Sequence, residues 1–436
     1  MILFPGEYLV RIYREREGNS GRLRFFQMIN YYQMRLSLLS LLFAMISSLV
    51  AEDRAKFRTD ENRDKSLEWF QPVRGEFPPK DSAHYISGEL IGVDHPERIL
   101  KIRVDRNDSQ SRALMDYPLT ATMIPCGTVS SHNQPASLQD IPIGTHVHGW
   151  FFERPSGEEK HWGERNGKPH NKDEIRASPE VDFTRCLRIE DDFTYHTRRK
   201  EIWKIEKVEL QKKKLTAILM KDGKPSGEAK TYDLQSSTVV YQGKGFASQE
   251  SIAPGQLVQM NLTWATLFGP GRVLEIWLDQ VSRDLASARQ LKRHHDHIRE
   301  RGIPGWIMAV DDQKQIVTVT FFDGIDEGLL KDLDVIVEAA LGWPTSGGAK
   351  DDLKPKGTLA VARDCLMTYD IVNDRKGGNI LAKRKVPSLP GSSGVKIEVQ
   401  CGMLLEGFRP SNVVRFFPAC WPIGGVPREE TFFGRE

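Results

Sequence analysis

"GELIGVDHPERILKIRV" (Gly88–Val104) places an apolar residue three positions before a valine, follows it with a polar turn, and then alternates apolar and polar residues. The same arrangement recurs in "WKIEKVELQKKKLTAIL" (Trp203–Leu219) and "GWIMAVDDQKQIVTVTF" (Gly305–Phe321). Alternation with a period of two around a polar turn is typical of a β-hairpin with one buried face. The sequence therefore predicts one hairpin unit in three copies.

A second element follows each hairpin in the segments "DIPIGTHVHGW", "SIAPGQLVQMNL" and "LKPKGTLAVAR". Each segment joins a proline and a glycine to a β-rich strand, and the glycine (Gly144, Gly255 or Gly357) follows the hairpin valine by 47 to 51 residues. Proline and glycine fix a turn before a strand. The pattern predicts a mainly β protein of three tandem small barrels, OB-like or SH3-like. One larger β-sandwich with duplicated hairpins is the alternative.

The composition between the repeats predicts the domain boundaries. We expect a leader (residues 1–51), a charged linker (52–84), a first barrel (85–190) with a polar loop (154–180), a second barrel with a connecting helix (191–301), and a third barrel with a C-terminal tail (302–436).

The connecting helix is predicted near residues 280–301. Its apolar stripe has a spacing of three and four residues, and consists of Val281, Leu285, Ala288, Leu291, His295 and Ile298. Gly302 follows as a C-terminal cap, and Pro304 blocks continuation of the helix. We expect this stripe to pack against a neighbouring barrel.

The leader contains "MRLSLLSLLFAMISSLVAED" from Met34. A basic residue, a short apolar run and a small residue before an acidic segment are typical of a secretory signal, here a signal-like helix at residues 34–51. This predicts export to the periplasm or cell envelope, with membrane contact only through an uncleaved leader. A buried helix is the alternative.

Five cysteines and the overall charge narrow the classes of function. No CxxC pair occurs, which excludes a zinc ribbon. In an exported protein a pair among Cys365, Cys401 and Cys420 could form a disulfide, and buried thiols are the alternative. The formal charge of +2 argues against a dedicated nucleic-acid binder. No glycine-rich phosphate loop, nucleophile elbow or paired-carboxylate motif occurs, which favours a non-enzymatic function.

The segment "GTHVHGWFFE" (Gly144–Glu153) holds a candidate site for a divalent metal. His146 and His148 lie on the same face of a strand, Glu153 offers an oxygen, and His161 follows in the polar loop. The His-x-His spacing with the later glutamate resembles the first metal motif of cupins, although the second cupin motif has no counterpart here. The other two copies align Leu257 and Gln259, and Leu359 and Val361, with the two histidines, so the fold does not require histidine there. A solvated or hydrogen-bonded pair is the alternative.

A basic patch near the second hairpin is a candidate polymer-binding surface. It consists of Arg198, Arg199, Lys200, Lys212, Lys213 and Lys214. Beside Trp203 it would suit an anionic polymer on an OB-type surface, either nucleic acid or acidic polysaccharide. A solvated turn is the alternative. In "RHHDH" (Arg293–His297) the histidines lack the spacing of a zinc protease, which favours a structural role.

The stretch "RHHDHIRERGIPGWIMAVDDQKQIVTVTFFDG" (Arg293–Gly324) resembles uncharacterised exported proteins of planctomycete-type bacteria with repeated small β-barrel domains. That resemblance implies export and brings no activity with it. The resulting hypothesis is an exported multi-barrel protein that acts as a binding or structural component of the envelope, with an envelope protein or polysaccharide as partner. The two alternatives are a metal-binding protein or metal-dependent enzyme using the His-x-His strand, and an OB-type polymer-binding module.

Overall fold

A computed structural model describes residues 67, 70–105, 118–153, 183–266, 269–337, 354–362 and 375–423. The signal-like segment, the polar loop that contains His161, and Cys365 lie outside these ranges. In the ranges described, the chain is mainly β and forms three closed small barrels in tandem, with few helices. No helix among these residues is both long and apolar enough to cross a membrane. The predicted fold class is confirmed.

Barrel 1 consists of strands β1 to β6. They are β1 (His84–Asp94), β2 (Ile99–Val104), β3 (Leu119–Ser131), β4 (Gln134–Ala136), β5 (His146–Glu153) and β6 (Phe183–Asp191). The closed order is β2-β1-β5-β6-β3, with β2 paired to β3, while β4 flanks β3. β3 and β6 are parallel, and the other pairs are antiparallel. This order, with one parallel pair, is that of the OB fold.

The five strands that close barrel 2 repeat this topology. Its strands are β7 (Glu201–Glu209), β8 (Lys214–Lys221), β9 (Lys224–Pro225), β10 (Lys230–Gln242), β11 (Gly245–Ala247), β12 (Leu257–Thr266) and β13 (Gly269–Trp277). The closed order is β8-β7-β12-β13-β10, and β10 is parallel to β13. Each barrel therefore encloses its own apolar core of inward-facing residues.

Barrel 3 closes with six strands, all antiparallel to their neighbours. They are β14 (Ile303–Asp311), β15 (Ile316–Phe322), β16 (Lys356–Ala362), β17 (Arg375–Lys385), β18 (Ser392–Cys401) and β19 (Val413–Pro418). The order is β14-β15-β18-β17-β16-β19. Where the other barrels have one parallel strand, barrel 3 has the antiparallel pair β16 and β17.

The three hairpins predicted from the sequence are equivalent in the structure. A β-bulge follows Leu90, Ile205 and Ile307, which pair with Ile102, Ala217 and Val319. The residues that precede the bulge, Leu90, Ile205 and Ile307, are buried in the cores of their own barrels. The bulge bends the first strand at the same place in each copy, as barrel closure requires. The hairpin repeat is therefore confirmed.

The alignment of the second element is confirmed for two copies and wrong for the third. Gly144 N donates to Leu90 O over 2.7 Å, and Gly255 N donates to Ile205 O over 2.7 Å. The matching bond in barrel 3 runs from Ser411 N to Ile307 O over 2.9 Å. Ser411, and not Gly357, is therefore the counterpart, and β19 is the equivalent of β5 and β12.

Gly357 lies in β16 for a different reason. A Cβ at this position would lie 2.0 Å from the Phe416 ring, so the glycine makes room for an aromatic side chain and does not form a turn. β16 pairs with β17 and β19, and does not pair with β14. The equal sequence interval in the third copy is therefore a coincidence.

Among the described residues, three α-helices accompany the barrels: α1 (Asp192–Arg198), α2 (Gln280–Arg301) and α3 (Glu327–Lys331). α2 matches the predicted connecting helix. The carboxylate of Asp279 caps its start by accepting from Ser282 N over 2.8 Å, and Gly302 ends it at a φ of 77°.

The predicted apolar stripe of α2 is wrong in its register. The buried residues are Ser282, Gln290, His294, Ile298 and Arg301, whereas Val281 is half exposed. The buried face is polar because it contacts the polar edge of barrel 1. Gln290 Nε2 donates to Pro135 O and to Asp140 Oδ2, at 3.2 and 3.1 Å. His294, and not His295, is the buried histidine.

The cysteines among the described residues are free thiols. Cys126, Cys186, Cys401 and Cys420 are free, so a bridge between Cys401 and Cys420 is contradicted. Cys126, Cys186 and Cys401 are buried, and burial raises the pKa of each of these thiols to about 12.

Candidate functional site

The two histidines of the His-x-His strand lie on the outer face of barrel 1. Val147, between them, points into the barrel core. His146 and His148 are nevertheless only 3% and 5% exposed, because helix α1 covers them. That helix begins where β6 ends, and its N-cap Asp191 accepts from Thr194 N over 2.8 Å.

His146 lies between two carboxylates. Its Nδ1 is 2.6 Å from Asp192 Oδ1, and its Nε2 is 2.8 Å from Asp105 Oδ2. Both ring nitrogens can donate only if the ring is an imidazolium. Burial lowers the pKa of His146, but the charges of Asp192 and Asp105 outweigh burial and hold the pKa well above its ordinary value. The geometry and the pKa direction therefore agree on a charged His146.

His148 is held in the neutral form. Its Nε2 donates to Asp192 Oδ1 over 3.0 Å, and its Nδ1 accepts from the Tyr85 hydroxyl over 2.6 Å. The ring stacks on Tyr195, with ring centroids 3.6 Å apart. Burial is the main reason that the pKa of His148 falls to about 4, and the adjacent charge on His146 acts in the same direction.

Asp192 connects barrel 1 to barrel 2. Its Oδ1 accepts from both histidines, and its Oδ2 accepts from Leu262 N of barrel 2 over 2.8 Å. Burial raises the pKa of Asp192, but the charge of His146 outweighs burial and keeps the pKa below its ordinary value. The carboxylate is therefore ionised, and it ties two barrels and a helix together.

Two further contacts strengthen this joint between barrels 1 and 2. Asp191 Oδ2 accepts from Ser131 Oγ over 2.9 Å and from Asn261 Nδ2 over 3.3 Å, which again links the two barrels. Phe193 of α1 packs edge-on against Trp277 of barrel 2, with ring centroids 4.9 Å apart. We call this region, which includes Asp105, His146, Asp192 and Leu262, the barrel 1–2 joint.

The predicted metal ligands are only partly brought together. Within the described ranges, the residues whose ligand atoms converge within 4.8 Å of one another are His146, His148 and Asp192. Glu153 ends the same strand and is not in this group, and His161 lies outside the described residues. Asp192 escaped the sequence prediction because it lies 44 to 46 residues beyond the histidines. The signal that could have revealed Asp192 is the run of consecutive acidic residues at the end of β6, because β6 lies beside β5.

A buried polar residue occupies the position of His148 in all three barrels. Counting from the Gly144, Gly255 and Ser411 positions, His148 corresponds to Gln259 and Arg415. Both counterparts are buried. Gln259 Nε2 donates to Glu201 O over 2.8 Å, and Arg415 donates to Arg301 O over 2.9 Å. Gln259 and Arg415 therefore each bind the backbone where the chain enters their own barrel, whereas His148 binds the side chains of Tyr85 in β1 and Asp192 in α1.

This correspondence replaces the one inferred from the sequence for the third copy. The residues in barrel 3 that match the histidines are Val413 and Arg415, and not Leu359 and Val361. A buried polar residue at the His148 position is thus a feature of the repeated fold. A charged histidine at the His146 position is particular to barrel 1.

The predicted basic patch is divided between the two ends of the hairpin β7–β8. Arg198, Arg199 and Lys200 lie where α1 ends, next to the start of β7, while Lys212 to Lys214 form the turn at its far end. Four of the six are paired with carboxylates: Arg198 with Glu190, Arg199 with Glu201, Lys212 with Glu209, and Lys214 with Asp233. The six residues do not form one continuous surface.

No family model matches the chain, and comparison with curated proteins and with solved structures gave no match either. The resemblance to exported planctomycete-type proteins stays a prediction.

Proposed function

We propose that the chain is an exported, non-catalytic component of the cell envelope that binds or organises other envelope molecules, a protein or a polysaccharide. The observation that supports this proposal best is the barrel 1–2 joint. A charged imidazole between two carboxylates has all of its hydrogen bonds satisfied within the protein, which suits a structural joint better than a reactive site. Such a joint holds neighbouring barrels at a fixed spacing, as a multivalent binding protein requires.

Export is tested by expressing the full chain in a Gram-negative host and fractionating the cells. We expect the protein in the periplasmic or membrane fraction, with a mature N-terminus near Glu52 if the leader is cleaved. Deletion of residues 34–51 should retain it in the cytoplasm. A wild-type chain that is cytoplasmic and begins at Met1 would contradict the envelope proposal.

Metal binding at the same joint is the second candidate function. The ligand atoms of His146, His148 and Asp192 converge, and each ligand has an outer partner: Asp105 on the other nitrogen of His146, the Tyr85 hydroxyl on the other nitrogen of His148, and Leu262 N on the other oxygen of Asp192. Metal-ligating histidines and carboxylates are commonly held in this way. A bound ion would replace the hydrogen bonds that now join the three ligands.

Elemental analysis separates these two candidates. Wild-type protein purified without chelator is compared with the double variant His146→Ala/His148→Ala. Stoichiometric zinc, iron, manganese or copper in the wild type, lost in the double variant, would establish a metal centre. Wild-type protein without stoichiometric metal after incubation with each ion leaves the structural joint.

A further inference from the structure

A row of three aromatic rings crosses the outer face of barrel 2. Phe246 of β11 lies opposite Tyr241 of β10, and Tyr241 lies beside Trp277 of β13. The neighbouring residues Val240 and Ile276 belong to the barrel core, so the three rings face outward. The ring centroids of Phe246 and Tyr241 are 5.3 Å apart, and those of Tyr241 and Trp277 are 5.2 Å apart. We call these three residues the aromatic row.

The aromatic row runs from a buried end to an exposed end. Trp277 is 1% exposed, because Phe193 of α1 packs against it, whereas Phe246 is 79% exposed. Of the large apolar side chains that are exposed in the described ranges, Phe246 is the most exposed and the one aromatic ring. A phenyl ring in water is stabilised when a partner covers it. The exposed end of the row is therefore a candidate contact surface.

The hairpin that carries Phe246 is fixed to the rest of the protein at two points. Gly243 lies in its turn with a φ of 55°, and Gly243 N donates to the carboxylate of Asp279, at the start of α2, over 2.8 Å. The hydroxyl of Tyr241 donates to Glu275 over 3.0 Å. A partner that binds Phe246 therefore does not have to order a loose loop, which favours affinity.

Three cations lie beside the row. A small cleft, of about 70 Å³, lies between the β10–β11 hairpin and α2, and Lys244, Arg289 and Arg293 line it. All three are exposed residues. In the part of the chain that the structure describes, Lys244 and Arg289 form no ion pair, and Arg293 pairs with Asp140 at a distance of 3.9 Å. These cations are available to an anionic partner.

The nearest carboxylates are used within the protein. Among the described residues that line the cleft there is no aspartate or glutamate. Glu275 accepts from Asn261 Nδ2 over 3.2 Å in addition to the tyrosine hydroxyl, and Asp279 accepts from Ser282 N over 2.8 Å in addition to the glycine of the turn. The surface around the cleft is therefore cationic.

The electrostatics of Tyr241 agree with this description. Burial is the main reason that the pKa of Tyr241 rises to about 13, and the carboxylate of Glu275 raises it as well. The charges of Arg289 and Arg293 oppose this rise. Both guanidinium groups therefore act on the middle ring of the aromatic row.

We propose that the exposed end of the aromatic row, together with Lys244, Arg289 and Arg293, binds a segment of an acidic polysaccharide. The C–H face of a sugar ring is apolar and packs on Phe246, while carboxylate or sulfate groups of the polymer pair with the cations. This inference rests on the proposed function, which names a protein or a polysaccharide as partner. It adds the charge of the polysaccharide and the surface that recognises it.

A single-stranded nucleic acid matches this surface less well. Proteins that hold such strands stack successive bases on several accessible rings. In the described ranges the aromatic row exposes one full ring, that of Phe246, because Trp277 is buried and Tyr241 is partly covered. One ring is enough for one sugar, and the proposed location in the envelope also favours a polysaccharide.

The test is isothermal titration of the full chain at low ionic strength. Polygalacturonate and heparin are the two acidic probes, dextran is the neutral control, and a dodecamer of thymidylate represents nucleic acid. We expect saturable binding of an acidic polysaccharide that weakens as salt is added, and no binding of dextran. Tighter binding of polygalacturonate would identify carboxylate as the recognised group, and tighter binding of heparin would identify sulfate.

A first pair of variants tests the exposed ring. Phe246→Ala should weaken binding of the better acidic probe by at least about 5-fold, as expected for an aromatic anchor. Its melting temperature should stay that of the wild type, because the ring is exposed in the free protein. Met403→Ala removes another exposed apolar side chain, 52% exposed and located in barrel 3, and should leave the affinity unchanged.

A second pair of variants tests the cations. Arg289→Glu reverses a charge at the cleft and should weaken binding by about 3- to 10-fold. Lys224→Glu makes the same reversal at an exposed position of barrel 2 that does not line the cleft, and should leave the affinity unchanged.

The proposal is overturned if neither acidic polysaccharide binds, if the thymidylate dodecamer binds more tightly than both, or if Phe246→Ala binds as well as Met403→Ala. The outcome is distinguishable from failure of the envelope proposal. An exported chain that binds neither polysaccharide loses this inference alone, whereas a cytoplasmic chain that binds one through Phe246 loses the envelope proposal alone.

Discussion

Barrel 1 meets its two neighbouring barrels in opposite ways. At the barrel 1–2 joint, the buried charge of His146 is enclosed by Asp105 and Asp192. Between barrels 1 and 3 the contact is an apolar cluster, which includes Phe152 and Trp306. A buried charge matched by carboxylates fixes the positions of its partners through directional hydrogen bonds, whereas an apolar contact depends on packing alone. The predictions below test this difference.

Removing the carboxylate of Asp192 should have the largest effect on the stability of the protein. Asp192→Ala leaves the charged His146, the Nε2–H of His148 and the N–H of Leu262 buried without their acceptor. Breaking a buried charge network from one side costs about 3–5 kcal/mol. We expect a loss of this size in the free energy of unfolding, measured by urea denaturation.

The matched control is Asp296→Ala on the exposed face of α2. Asp296 is 56% exposed and pairs with Lys292, which is 76% exposed, so its loss should cost less than about 0.5 kcal/mol. If the two variants lose the same stability, the joint does not hold the barrels together and the comparison fails.

The stability of the folded protein should decrease in mild acid because of His294, the buried histidine of α2. Its Nε2 accepts from Asp326 N over 3.2 Å. Burial is the main reason that its pKa falls to about 4; the neighbouring His295 lowers the pKa further, and the carboxylates of Asp326 and Asp140 oppose both. Above pH 6.5 the ring is neutral in the folded and the unfolded chain. As the pH falls from about 6.5 to about 4, only the unfolded chain binds a proton, and stability decreases.

The expected loss over this range is about 3 kcal/mol, which follows from the difference between the folded and unfolded pKa. It is measured as the difference between wild type and His294→Gln, whose amide oxygen can still accept from Asp326 N but does not titrate. The variant should lose less stability than the wild type between pH 7 and pH 4. Parallel stability curves for the two proteins would rule out this role for His294.

The sequence predicted those parts of the fold that depend on local patterns. Leu90, Ile205 and Ile307 were placed correctly because alternation and a turn determine a hairpin almost by themselves. Gly357 was misassigned because a glycine that accommodates the ring of Phe416 looks, in sequence, like a glycine in a turn.

The site was predicted less completely, for two physical reasons. His146 and His148 were recognised, but Asp105 and Asp192 lie 41 to 46 residues away along the chain, and only barrel closure brings them close. The register of α2 was missed because a helix that packs on carbonyls and carboxylates buries Gln290 and His294, while sequence analysis looks for an apolar stripe.

A substitution of Gln259, the counterpart of His148 in barrel 2, should have a smaller effect on stability. Gln259→Leu removes the hydrogen bond to Glu201 O and leaves that buried carbonyl without this donor. We expect a loss of about 1–2 kcal/mol in the free energy of unfolding. Leu257→Gln, at the 47% exposed position that matches His146, is the control and should change stability by less than about 0.5 kcal/mol. Equal effects would show that the polar contact is incidental to the repeated fold.

Substitutions in the divided basic patch should have the smallest effects on stability. They distinguish a cation that supports the fold from one that is solvated. Arg198 binds Glu190, which is 3% exposed, as well as Ser130 Oγ, whereas Lys212 binds the partly exposed Glu209 at a hairpin turn. Lys212→Ala should therefore leave the melting temperature unchanged within error, because an exposed ion pair contributes little. Arg198→Ala should lower the melting temperature measurably, since it leaves a buried carboxylate without its closest cation. Retention on heparin that is lost equally in both variants would instead indicate that the two ends of the hairpin bind one polymer.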